Sequence, residues 1–166
     1  ASNTRREIQL VRKGQAIVAQ SSIMPHTAHY DTNYVSENSE FNLPKAKALL
    51  DLYGYVDRDG DGWREKPDGN ALILEVATQP DQVSRQLDEL MRKDMGDLGI
   101  RVEFKPAKWP ENLKNIRAGK LMIWRLAHSA AGPDSGSALD RGFSGHKGGA
   151  NLSRFSNKDY DAIYQK

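Results

Sequence analysis

Between Ala71 and Ala127 the hydrophobic period switches back and forth between two and about three and a half, which constrains the fold more than any other feature. Leu72, Leu74 and Val76 recur at every second position, as on one face of a strand, and Gln79-Pro80 ends the run. Val83, Leu87, Leu90, Met91, Met95 and Leu98 then form the stripe of an amphipathic helix that Gly99 closes. Ile100, Val102 and Phe104 make a second strand, ended by Pro106. Pro110 opens a helix with Leu113 and Ile116 inward, and Gly119 ends it. Leu121 to Ala127 is a third strand, mostly apolar, so a central place in the sheet is expected. Strand–helix–strand–helix–strand means an α/β fold with right-handed crossovers. Ligands of such sheets gather beyond the carboxyl ends of the strands. One of these ends runs into His128-Ser129-Ala130-Ala131-Gly132-Pro133-Asp134, the first place to look for function.

The rest of the chain is less regular. Arg5 to Lys13 carries Ile8, Leu10 and Val11 and predicts a short helix, uncapped at its start and ended by Gly14. Residues 15–43 lose periodicity and read as a long irregular excursion, which in a compact domain either wraps another part of the protein or serves a function. Pro44, with Ala46, Leu49, Leu50 and Tyr53 behind it, predicts a helix stopped by Gly54. With 166 residues, a single domain over 1–166 is expected. The polar opening and a final helix that stops in mid-pattern read as a piece of something longer.

Composition removes several classes of function. The chain has 24 Lys and Arg against 22 Asp and Glu, a net charge of +2, with the signs interleaved rather than in blocks. A dedicated nucleic-acid or anionic-membrane surface is therefore disfavoured, and no nucleic-acid partner is expected. No run of about 18 apolar residues is present to span a bilayer. The absence of cysteine removes disulfides, thiolate catalysis and cysteine-bound metals.

Each motif has a plain structural reading beside a chemical one. Asp57, Asp59, Asp61 and Gly62 match the start of a calcium loop, but its twelfth position is Asp68 rather than Glu, with Pro67 before it. A structural calcium site on Asp57, Asp59, Asp61 and Asp68 stands against the plainer reading of an Asp/Gly turn, which is preferred. Otherwise no cofactor is expected. His26 and His29 have metal-ligand spacing in a loop-like context without a nearby acid. Gly142, Gly145, Gly148 and Gly149 with Lys147 lack the Walker spacing and read as a mobile loop. His128 and Ser129 could serve an α/β hydrolase, yet no nucleophile elbow or zinc-protease helix is present, and no enzyme is expected. Trp109 and Trp124 are expected in the core, with Trp63 half exposed.

These residues stand in a familiar order. Asn42 to Gly69, NLPKAKALLDLYGYVDRDGDGWREKPDG, resembles a segment of the solute-binding proteins of family 5, the extracytoplasmic dipeptide-, oligopeptide- and nickel-binding receptors of ABC importers. The resemblance continues through Leu72–Thr78, Val83–Leu98, Gly99–Glu103, Gly119–Trp124, Pro133-Asp134, Asn151–Phe155 and Tyr160–Tyr164. It implies the second lobe of a type II periplasmic binding protein-like fold, a small mixed sheet flanked by helices, within a longer two-lobed polypeptide. It also implies a periplasmic location and capture of a small-molecule or peptide ligand by lobe closure, with a missing first lobe and ABC permease subunits as partners. His128, Ser129, Asp134, Asn151 and Arg154 are then the candidate ligand-binding residues. Peptide-binding relatives carry a Trp and, three residues on, an amine-binding Asp. Here His128 and Ala131 stand at those places, which tells against a peptide with a free amino end, since a buried ammonium without its carboxylate is costly. An α/β hydrolase and a calcium-stabilised interaction domain remain the alternatives.

Overall fold

The computed structural model describes residues 2–166. Three parallel strands, β1 (Ile73–Thr78), β2 (Arg101–Pro106) and β3 (Ile123–Trp124), form one sheet in the order β2-β1-β3. Helix α1 is Thr4–Leu10, α2 Leu43–Leu52, α3 Gln82–Gly96, α4 Trp109–Arg117, α5 Gly136–Leu139 and α6 Lys158–Tyr164, with short 3-10 turns at Glu37–Ser39 and Ser144–His146. α3 links β1 to β2 and α4 links β2 to β3, as the changes of period require. Residues 15–42 carry no element beyond the first 3-10 turn, and Leu43 already opens α2.

Two expectations about the sheet are corrected. It is parallel in both strand pairings rather than mixed. The apolar run Leu121–Ala127 is also not central: β1 is, and Val76 at its middle is fully buried between Phe104 and Ile123. Only Ile123 and Trp124 pair, and Met122 keeps 59% of its surface exposed. An apolar run reports a tendency to leave water, not how many strands it will pair with, and here its side chains line a groove.

The core lies between α2, α3 and the sheet. Met95, Leu98 and Ile100 are buried, with Leu43, Ala46, Leu50, Leu72, Leu74 and Val102 packed against them. Burying a side chain such as Leu98 stabilises the fold by about 1.5–3 kcal/mol. The helix entrances are chemically specified. Asn42 accepts the Lys45 N–H ahead of Pro44, and Asp81 accepts both the N–H and the hydroxyl of Ser84. Those Ser84 bonds hold the Asp81 carboxyl below its ordinary pKa. Contrary to the sequence reading, α1 is capped too: the Asn3 side chain accepts the Arg6 N–H at 3.0 Å.

Acids buried in α3 tie distant segments together. Asp94 accepts the Asn3 N–H at 2.8 Å and pairs with the Arg6 guanidinium, fixing α1 against α3. The turn after α2 is anchored likewise. Arg64 donates its N–H to Gly99 O and its Nε to Leu98 O, both at 2.7 Å, just beyond α3.

Candidate functional site

Beyond the carboxyl ends of β1 and β3 lies an open groove of about 490 Å³. Thr78 ends β1 and Gln79 follows it, Leu87 comes from α3, Asn3 and Glu7 come from the α1 segment, and Trp109, Trp124 and Arg125 line it as well. Trp109 and Trp124, expected in the core, are instead partly exposed walls of this groove. Their helix and strand bring the rings to the ends of the sheet, where each keeps part of its surface open to the groove.

An ion pair sets the geometry there. Asp88 is only 7% exposed. It accepts Arg125 Nη1 at 2.6 Å and the Thr78 hydroxyl at 2.9 Å, so one carboxylate joins α3, the end of β1 and the residue after β3. The buried Asn112 amide of α4 donates to Thr78 O at 2.8 Å and Ala107 O at 3.2 Å, pinning α4 to the same strand end. Sequence reasoning missed Asp88, Asn112 and Arg125; only the acid's place on the inner side of α3 hinted at a partner.

A second depression of about 330 Å³ shares Trp124 and Leu126 with the groove. Leu126, His128, Arg141, Leu152 and Ser153 share its lining. Partial desolvation first, and the Arg141 cation second, hold the His128 imidazole below its usual pKa. Arg141→Gln is therefore expected to raise the His128 pKa part of the way back, leaving the larger desolvation effect in place. A proton NMR titration of the ring checks this, and an unchanged or lower value would contradict it.

The glycine-rich loop, expected to be mobile, is organised around Asn151, which is fully buried. Its amide donates to Phe143 O at 3.0 Å and Phe155 O at 2.9 Å, and its oxygen accepts the Phe155 N–H and the Ser153 hydroxyl, both at 3.1 Å. Two donors and two lone pairs are thereby used. Asn151 thus builds the loop and has no bonding capacity left for a ligand. Gly142 is required because the Tyr160 ring occupies the space of a Cβ. Arg154 donates to Arg117 O at 2.7 Å, closing the end of α4 rather than pairing with an acid. Its guanidinium crosses Gly119, whose φ of +69° and lack of Cβ admit it.

The remaining candidates are dispersed. Ser129 and Asp134 line a shallow hollow with Met24 and Thr27. Asp134 accepts the Gly136 N–H at 2.8 Å just ahead of α5. Among the described residues His128 donates to no carboxylate and Ser129 lines a different hollow from His128, so no nucleophile–base pair is assembled. His26 and His29 are exposed loop residues with φ of +67° and +63°. Ligand atoms of Asp57, Asp59 and Asp61 lie within 4.8 Å of one another, with Asp68 outside the group. The carboxylates serve the turn: Asp57 accepts Gly60 N–H and Gly62 N–H, and Asp61 pairs with Arg101, itself 5.6 Å from the Trp63 ring centre.

One family model matches most of the chain, and solved structures share its fold. Residues 1–150 match the description "Bacterial extracellular solute-binding proteins, family 5 Middle". No curated protein sequence matches the chain. Among solved structures, the oligopeptide-binding protein AppA from Bacillus subtilis, in complex with a nonapeptide, superposes with a TM-score of 0.83 at 22% identity, covering 97% of this chain and 32% of that one. NikA from Brucella suis, in complex with Fe(III)-EDTA, gives 0.80 at 20% identity over 99% of this chain and 32% of its own. A periplasmic oligopeptide-binding protein from Thermotoga maritima with bound mannohexaose gives 0.80 at 18% identity over 98% and 33%. The chain thus shares their fold and spans about a third of the length of each.

Proposed function

The chain belongs to the bacterial extracellular solute-binding proteins, family 5, and from that premise we propose that it is one lobe, the second, of a receptor that captures a solute outside the cytoplasm for an ABC importer. In this reading a first lobe of the same polypeptide closes over the solute, and the closed form docks on permease subunits in the membrane. The periplasm or its equivalent is the place of action. The protein binds rather than transforms its cargo.

The observation that carries the reading is the groove beyond β1 and β3, open to solvent and lined from the sheet ends, α1, α3 and α4. Trp109 and Trp124 offer flat apolar surface, while Thr78, Gln79 and Arg125 offer polar groups, the mixture by which concave sites enclose small molecules. An open groove encloses little, so affinity depends on the facing lobe. Relatives of this fold hold a nonapeptide, mannohexaose or Fe(III)-EDTA, so the lobe architecture by itself leaves the cargo class open. The chemistry of the wall has to decide it.

The test is to purify the two-lobed polypeptide without added ligand, denature it, and analyse what is released by mass spectrometry. A melting screen against peptides, sugars, organic acids and metal chelates follows. The expected result is a stoichiometric passenger or a raised melting temperature with one chemical class. No passenger together with no shift from any class would count against solute capture.

A further inference from the structure

Arg141 is the cation in this region that the fold leaves without work. It follows α5 and is partly buried on the ridge between the depression of His128 and the hollow of Ser129 and Asp134. The acids that could have neutralised it are engaged elsewhere. Asp140 accepts the Tyr164 hydroxyl and lies 3.9 Å from His146, and Asp134 is turned to the Gly136 N–H. Among the described residues no carboxylate reaches ion-pairing distance of Arg141, and its guanidinium donates no hydrogen bond. By contrast Arg6, Arg64, Arg101 and Arg125 all bind acids of this chain.

The walls around it favour an anion over water. Trp124, Leu126 and Leu152 are apolar, so a charge held there is screened less than on an open surface. His128 adds N–H donor capacity and no negative charge at neutral pH. A guanidinium presents parallel N–H groups that match the two oxygens of a carboxylate. The depression, about 330 Å³, has room for a terminal carboxylate and the carbon atoms behind it.

We propose that Arg141 anchors a carboxylate group of the captured solute, held in the depression between Trp124, His128 and Leu152. This deepens the receptor reading and rests on it: the cargo class becomes solutes with an exposed carboxylate, such as the acid end of a peptide or a small organic acid. Trp124 forms part of both the groove and the depression, so a solute can lie in the former with its acid end in the latter.

The experiment uses the two-lobed polypeptide and matched probes, namely short peptides and N-acetylated amino acids, each as free carboxylate and as carboxamide. Binding is measured by calorimetry for the unaltered protein, Arg141→Gln, and Arg117→Gln as a control that removes an exposed cation at the end of α4. A charge-assisted contact of this kind is expected to favour acid over amide by about 10- to 100-fold in the unaltered protein and in Arg117→Gln. In Arg141→Gln the ratio is expected to fall to about one while amide affinity stays within about twofold. Should that variant melt lower, Arg141→Lys carries the test: charge without the planar fork is expected to keep only part of the preference. Equal binding of acids and amides by the unaltered protein, or a preference that survives in Arg141→Gln, would overturn the inference while leaving solute capture intact. Binding of no probe or other solute of any class would overturn the receptor reading, and the inference with it.

Discussion

Asp88→Ala is expected to lower the stability of the protein by about 2–4 kcal/mol, read as a shift of the urea midpoint at constant slope. The acid is buried in α3, and its removal strands two partners at once. Arg125 loses its acid partner and Thr78 loses the acceptor of its hydroxyl. The lower end of that range reflects Arg125, whose side chain is 34% exposed and can recover some hydration. Asp88→Asn keeps an acceptor for Thr78 and the shape of the side chain, so a smaller loss is expected. Glu89→Ala, on the exposed side of the same helix, is expected to stay within about 0.5 kcal/mol of the unaltered protein. A cost for Asp88→Ala no larger than that of Glu89→Ala would contradict the role assigned to the pair. Because the carboxylate joins α3 to the ends of β1 and β3, the same change is also expected to loosen the groove wall and weaken solute binding.

Asn151→Ala is expected to cost about 2–4 kcal/mol as well, through backbone groups rather than charge. With the amide gone, Phe143 O and Phe155 O lose a donor, and the Phe155 N–H loses its acceptor. Asn151→Asp is a sharper probe. It keeps the size and the acceptors but cannot donate, and it places a negative charge beside two carbonyl oxygens, so it is expected to be at least as damaging. Hydrogen exchange at Phe155 is expected to accelerate in both variants. Because Leu152 and Ser153 line the depression next to Arg141, the acid-over-amide preference is expected to shrink too. Unchanged exchange and stability in both variants would mean the loop is held by something other than this side chain.

The regular elements were legible because their signals are local. The stripe from Val83 to Leu98 and the alternation of Leu72, Leu74 and Val76 place α3 and β1 within a residue or two of their bounds. Gly54 and Gly99 mark turns at φ of +78° and +75°, a conformation glycine adopts without strain. The edge position of β3 was not legible, since its neighbours in the sheet are decided by the rest of the fold. Nor was the burial of Asp88, Asp94 and Asn151. Arg125 is 37 residues from Asp88 and Arg6 is 88 from Asp94, distances over which periodicity carries no information.

The candidate site was only partly visible in the sequence. His128 was singled out because it follows an apolar strand end, where α/β sheets collect ligands, and the structure sets it in the lining of a depression. Asn151 and Arg154 were singled out with it, and the fold spends both on holding loops and a helix end in place. Arg141 passed unnoticed, one basic residue in a Gly- and Asp-rich stretch. Its distinction is that neighbouring acids turn elsewhere, which only three-dimensional placement reveals.

Closure of two lobes over a solute is the central claim, and small-angle X-ray scattering tests it most directly. The two-lobed polypeptide is measured empty and then saturated with the solute that co-purifies with it or raises its melting temperature. The expected result is a smaller radius of gyration in the bound form, fully reversed when the solute is removed. Saturated binding with an unchanged scattering profile would contradict closure, and with it the assignment of this groove as one half of the binding site.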